Sequence, residues 1–219
     1  MDITIVSDTI CPWCFIGKRR LEQALAQRPT LQPRIHWQPF FLNPDMPPAG
    51  MPRRDYLRAK FGGEDNARAI YDRIVAAGQD TGIDFRFEAI SRTPNTLDSH
   101  RLLHWAASLG VQHELAEELF RRYFQDGEDI GDPGVLADAA TAVGLDDTLI
   151  RRRLSDDEDR DSVIEAARGA RRLGVEGVPF FILDNRYGLS GAQPPEILLQ
   201  VVDRVVRENA TAAPANAHH

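Results

Sequence analysis

Cysteine is nearly missing from this chain: two occur in 219 residues, beside three methionines and three tryptophans. Two thiols cannot build the multi-bridge framework of a small secreted domain. They also fall short of the four ligands of a structural zinc site, and no second Cys-x-x-Cys is present. The histidines at i,i+4, His100 and His104, leave a two-Cys two-His site open as an alternative; the expectation is no metal. Basic charge is short as well, with 26 Lys and Arg against 33 Asp and Glu and a formal net charge of -7. A basic face for phosphates is therefore lacking, which argues against a nucleic-acid partner. The runs Arg19-Arg20, Arg121-Arg122, Arg151-Arg152-Arg153 and Arg171-Arg172 each have acids nearby and read as solvated helix surfaces. Long apolar runs are missing too. The longest strongly apolar stretch, Val178 to Leu183, is far too short to span a bilayer. The opening Met1-Asp2-Ile3-Thr4-Ile5-Val6 has no basic region and no apolar segment of signal-peptide length. The expectation is a cytoplasmic protein with no membrane partner. No internal repeat is visible, and low complexity is confined to an Ala/Pro/Asn tail ending in His218-His219.

The apolar content of 42% and charged content of 27% are those of an ordinary globular protein. Its length suits one domain with a substantial insertion, or two small domains. Ile3 to Ser7 alternates and is rich in β-branched residues, so it reads as a strand. A helix follows to about Gln27, with Pro12 at its first position, where a missing N–H costs nothing. Ile35 to Leu42 reads as a second strand, and Pro39 inside it marks an edge. After a Pro- and Gly-rich connection over 43–51 the pattern becomes helical, with a short helix at 56–61 and another at 67–77. Residues 83–87 read as a short strand or an extended loop. Helices then fit 95–109, 112–125, 133–143 and 146–153. Ser155-Asp156-Asp157-Glu158 has the form of a capping box and predicts a helix running to Gly174. Residues 178–183 and 186–190 predict a β-hairpin turning at Asp184-Asn185, and a last helix spans about 195–207. Without the helical block the order is β-α-β…α-β-β-α, an α/β arrangement in which the first two strands are parallel and joined by a crossover helix.

The two cysteines present, Cys11 and Cys14, lie three positions apart. Chance would place two cysteines so in about one chain in a hundred, so the spacing asks for a chemical reason. A structural disulfide would close too short a loop to stabilise much. The attacking species in disulfide exchange is a thiolate. Cys11 opens a helix, where unsatisfied N–H groups and the helix dipole favour negative charge. Cys14 sits one turn in, on the buried side. Cys11 is therefore expected as the nucleophile and Cys14 as the resolving thiol, passing through a mixed disulfide. Trp13 brings neither charge nor imidazole, which predicts a less oxidising couple than Cys-Pro-His-Cys. It is a candidate flat contact for a peptide or small thiol, or a cover for the sulfur. Asp8 is a candidate proton relay or a strand-end acid facing water. Lys18 reads as a solvated lysine or a distant charge acting on Cys11.

Val6-Ser7-Asp8-x-x-Cys11-Pro12-Trp13-Cys14-x-Ile16-Gly17-Lys18-Arg19-Arg20-Leu21 resembles the DsbA-like, FrnE-type oxidoreductases. So do Pro94 to Leu102, Phe120 to Gly131, Gly177-Val178-Pro179-Phe180-Phe181 and Ser190 to Gln193, in the same order over residues 3 to about 205. The resemblance implies a thioredoxin-like fold with a large all-helical insertion. Residues 1–45 plus 156–208 would form the thioredoxin-like domain, 46–155 the inserted helical domain, and 209–219 a flexible tail. It implies a cis peptide at Val178–Pro179 beside the cysteines, a bond of tolerable cost only before proline. Pro12, Trp13, Val178 and Pro179 would then contact an extended substrate through free backbone groups. The wider superfamily contains glutathione-dependent isomerases and kappa-class glutathione transferases with Ser in place of the catalytic Cys. That similarity makes Asn95 a candidate contact for glutathione, against a plain helix-capping role. His100 and Arg101 read as packing and surface residues.

The leading expectation is a thiol–disulfide oxidoreductase or isomerase, protein disulfide isomerase-like, acting on a protein, peptide or glutathione substrate. It would hold no tight cofactor, use glutathione as a possible co-substrate, and be a monomer or homodimer. The alternative is a glutathione-dependent isomerase or kappa-class-like transferase acting on a small aromatic substrate. A third is non-enzymatic, a helical interaction module with a vestigial redox centre or a metal-binding protein.

Overall fold

The computed structural model describes residues 1–212. Strand β1 (Asp2–Ser7) leads through the cysteine turn into helix α1 (Pro12–Ala26), which crosses over to β2 (Arg34–Pro39). The inserted stretch comprises β3 (Met51–Pro52), α2 (Arg53–Phe61), α3 (Glu64–Gln79), β4 (Arg92–Thr93), α4 (Leu97–Ala107), α5 (Gln112–Phe124), α6 (Pro133–Ala142) and α7 (Asp147–Leu154). Helix α8 (Arg160–Arg172), β5 (Phe180–Leu183), β6 (Tyr187–Ser190) and α9 (Pro195–Ala212) return the chain to the first sheet.

That sheet has the order β2-β1-β5-β6. β1 runs parallel to β2, with Ile3 opposite Ile35, and antiparallel to β5, with Ile3 opposite Leu183. The strand that delivers the cysteines is thus interior, flanked on both sides. Its fully buried Ile3 and Ile5 enter the main core, and Val6 joins Phe40, Ala170 and Val175 in a second cluster. Pro39 ends the edge strand β2, where its missing N–H interrupts no ladder. The hairpin turns at Asp184 and Asn185, both left-handed (φ 47° and 53°), a conformation these short polar side chains tolerate.

The capping box expected at residues 155–158 does not form. Ser155 closes α7 instead, its hydroxyl donating to Arg152 O at 2.7 Å, and α8 starts only after Asp159, at φ 60°. The cause lies on another element. The buried Arg101 guanidinium donates to the carbonyls of Arg153, Asp156 and Glu158 at 2.8 Å each, gathering the segment into a loop. Residues 43–51 end in a small antiparallel pair, Met51 opposite Thr93, and 83–86 are irregular. Helix α9 continues past the expected Arg207, because Asn209 bonds both Asp184 (2.7 Å) and Arg186 (2.6 Å). The remainder of the expected tail, 213–219, lies outside the described residues.

Helix α1 joins the sheet to the helical stretch. Phe15 stacks on Phe120 (centroids 5.2 Å) and meets Phe85 edge-on (6.0 Å). Such pairs add about 0.5–1.5 kcal/mol each beyond their burial. Lys18, expected in solvent, is buried one turn further on. Its Nζ donates to Glu22 Oε1 (2.6 Å) and Glu117 Oε2 (2.8 Å). Glu22 also pairs with His113 (2.9 Å), and Trp37 Nε1 donates to that imidazole at 3.3 Å. Burial pushes the Glu22 carboxyl up, but His113 and Lys18 outweigh it and hold the group at about 2.

Candidate active site

The turn between β1 and α1 is built by backbone. Cys11 N donates to Asp8 O at 3.0 Å, and Cys11 O accepts from Cys14 N (3.0 Å) and Phe15 N (3.4 Å). Cys11 is therefore the N-cap residue, with extended φ/ψ of -93° and 110°, and Pro12 follows as the first helical residue. Its side chain makes no capping bond, which leaves the sulfur for other partners.

One such partner comes from far along the chain. Cys11 Sγ donates to Val178 O at 3.6 Å, and the Val178–Pro179 peptide is cis, as the resemblance implied. The close approach of this loop to α1 depends on Gly17. A Cβ there would lie 2.9 Å from Pro179 Cγ and 3.1 Å from Phe181 Cζ. Gly191 N donates to Pro179 O at 2.8 Å and pins the loop from its other side.

Both cysteines carry free thiols, and both are buried, Cys11 at 4% exposure and Cys14 at 0%. Cys11 is more covered than its place at a helix start suggests, because α2 and α3 lie over the turn. Its access is a cavity of about 210 Å³, whose walls include Trp13, Leu42, Tyr56, Phe124 and Val178. Arg53 and Lys60 also face this cavity, and no carboxylate among the described residues lines it. Trp13, 36% exposed, forms its rim. Burial pushes the Cys14 thiol far up, and the adjacent Cys11 adds to this, while the Ser7 hydroxyl and the Asp8 N–H pull back. Cys14 is thus held as a neutral thiol.

The structure brings Cys11, Cys14, Pro12, Trp13, Val178 and Pro179 together. Asn95 is elsewhere: its Nδ2 donates to Met46 O (2.7 Å), and its Oδ1 accepts from Leu97 N (3.0 Å) at the start of α4. Both ends of that side chain serve the backbone. Asp8, read as a relay or a strand-end acid facing water, is fully buried, and so is His100 at 3% exposure. His100 Nε2 stands 3.4 Å from Asp8 Oδ1. Neither the pairing nor the cover over Cys11 had a signal in local sequence pattern.

The model of the DSBA-like thioredoxin domain matches residues 2–203. A probable DsbA oxidoreductase from Streptomyces coelicolor is 34% identical in its crystal structure, with a TM-score of 0.85, covering 100% of this chain and 94% of that one. YwbO of Bacillus subtilis (strain 168), a protein described as uncharacterised, is 26% identical over 186 residues, 83% of this chain and 86% of that one. A cytosolic disulfide reductase from Pseudomonas aeruginosa, DsbM, solved with GSH, shares the fold at 19% identity and a TM-score of 0.67, covering 94% of this chain and 100% of that one.

Proposed function

This chain belongs to the family of DSBA-like thioredoxin domains, and from that membership we propose that it is a thiol–disulfide oxidoreductase or isomerase working through Cys11 and Cys14. The observation that carries the reading is the Cys11 sulfur, placed at the start of α1 and against the carbonyl of Val178 at 3.6 Å. Cys11 attacks a substrate disulfide to give a mixed disulfide and one released thiol. Cys14 then attacks Cys11, releases the second thiol and closes the Cys11–Cys14 bond. Two electrons pass from the dithiol to the substrate, and the reverse sequence oxidises a substrate dithiol.

Val178 and Pro179 present the backbone edge for an extended substrate, and Trp13 and Pro12 form its rim. In this reading residues 1–45 with 156–208 are the redox unit and 46–155 its helical cover. The FrnE-type motif, the cytoplasmic location and glutathione as co-substrate complete the proposal; the last is supported by the GSH bound to the Pseudomonas aeruginosa reductase. The aromatic walls beside Cys11, including Tyr56, Tyr71 and Phe87, favour one further reading, a glutathione-dependent reaction on a small aromatic substrate. Turnover of insulin or oxidised glutathione decides between them. Cys11→Ala is expected to fall to background, and Cys14→Ala to stop at the mixed disulfide. Wild-type activity equal to that of Cys11→Ala removes the proposal, and full activity in Cys14→Ala moves it to the second reading.

A further inference from the structure

Several exposed arginines of this chain hold an acid close by. Arg28 meets Asp203 at 2.6 Å, Arg172 meets Glu165 at 2.6 Å and Arg151 meets Asp147 at 2.8 Å. Arg53, Arg54 and Arg68 are held differently, and they line one cleft of about 610 Å³ beside α2 and α3. Among the described residues, Arg54 and Arg68 have only Asp55 and Asp65 within reach, at 3.9 Å and 4.0 Å. Arg53 is half-buried and spends two of its N–H donors on hydroxyls, those of Thr93 (3.1 Å) and Tyr71. A guanidinium has five such donors, so others stay free for a ligand. Glu88 is the one carboxylate in the cleft wall among the described residues. Guanidiniums gathered around so little negative charge repel one another, and a bound oxyanion relieves that repulsion while meeting their fork geometry. In a chain of formal net charge -7 such a spot stands out.

The cleft adjoins the thiol. Arg53, Tyr71 and Phe87 line both it and the cavity that leads to Cys11. Tyr71 stacks on Phe87 with centroids 4.3 Å apart, so the shared wall is a flat apolar surface that carries a cation. Resting on the proposed exchange reaction, we propose that the substrate is a small disulfide whose arm ends in a dianion, with its sulfur at Cys11 and its charged end in the arginine cleft. Three guanidiniums less Glu88 leave two positive charges, which a phosphate monoester or a pair of carboxylates balances. Cys11 attacks the sulfur of the arm seated in the cleft, the S–S bond breaks, and the other arm leaves as a thiolate that takes up the proton lost by Cys11. Cys14 then displaces the seated arm. One disulfide and two protein thiols become two arm thiols and the Cys11–Cys14 bond. Arg54 and Arg68 set specificity at the far end of the arm and take no part at the sulfurs.

Compact disulfides that differ in arm charge test this. Bis(2-hydroxyethyl) disulfide is neutral, its bis-phosphate carries a phosphate dianion on each arm, and dithiodisuccinate carries two carboxylates on each arm. The reduced protein is mixed with each, quenched in acid and read by mass spectrometry. Each rate is divided by that of 2-mercaptoethanol with the same disulfide, which removes intrinsic reactivity. At low salt at least one dianionic disulfide is expected to lead the neutral one by about tenfold or more, and to lose most of that lead in about 0.5 M KCl. Whichever dianion leads identifies the end group. The double variant Arg54→Gln/Arg68→Gln changes two exposed side chains and is expected to cut the ratio of dianionic to neutral rates about threefold or more. Arg53→Met should lower the same ratio. A wild-type ratio near one, or a ratio unchanged in both variants, overturns the assignment. So does oxidised glutathione, whose arm has a net single charge, if it outpaces both dianions and reacts equally fast in the double variant. If the wild type reacts with none of these disulfides, the exchange reaction itself fails, and the substrate class falls with it.

Discussion

Two clusters of charge flank α1, one half-buried around the buried Lys18 and one fully buried at Asp8 and His100, and they are paired to different degrees. The cluster around Lys18 is densely paired: the ammonium meets two carboxylates, Glu22 meets a second donor in His113, and Arg19 pairs with Glu117, although the buried Arg19 Nε has no partner among the described residues. The cluster of Asp8 and His100, at the cysteine end, leaves one atom of each group without a good partner. A well-paired polar network fixes one arrangement of the elements it joins, whereas a loosely paired one fixes it less. The contrast assigns the first cluster to holding sheet and helical cover together.

Substitution at Lys18 tests the structural side most strongly. Lys18→Met leaves Glu22 and Glu117 facing each other across the joint, and the expected loss is about 2–4 kcal/mol in urea unfolding. Disulfide exchange per folded molecule should hardly change; a loss of exchange at unchanged stability would break the contrast. Gly17→Ala probes the ground between the clusters. Its methyl group would press on Pro179 and Phe181, with an expected cost of about 1–3 kcal/mol and a fall in exchange as Pro179 is pushed from Cys11. Normal kinetics in that variant would show that the loop's distance from the sulfur is unimportant. The smallest effect belongs to Glu22. Its carboxyl is held at about 2, below the ordinary 4.5. Its contribution is therefore complete above about pH 4.5 and lost as pH falls toward 2. Glu22→Gln should flatten stability against pH across that window and cost under about 1 kcal/mol at neutral pH. An unchanged acid slope would mean that the joint draws nothing from this carboxylate.

What could be read from sequence was what adjacent residues decide. The alternation of Ile3 to Ser7, proline at the first position of α1, the left-handed pair Asp184-Asn185 and the edge placement of Pro39 are each set within a few residues, and each has its structural counterpart. The failures came where a distant group intervened. Ser155 to Glu158 has a capping pattern, yet Arg101 draws its carbonyls into a loop from more than fifty positions away. Asn95 reads from its own neighbourhood as a helix cap and as a ligand only through the resemblance, and Met46 and Leu97 show that both ends of its amide serve the backbone. Lys18 looked solvated because Glu117 and His113 lie on another helix. The cysteine motif itself was legible, but its covering was not, since α2 reaches it from beyond β2.

The interior position of β1 also sets a timetable for synthesis. This strand and its two thiols leave the ribosome early, yet the neighbour that encloses them, β5, is among the last parts made. At about 5–20 residues per second the wait is on the order of 10 s. During that interval the future redox centre is an open hairpin of sulfurs on a nascent chain, exposed to any oxidant or metal nearby. Closure of the sheet, and with it protection of the thiols, has to await the C-terminal strands.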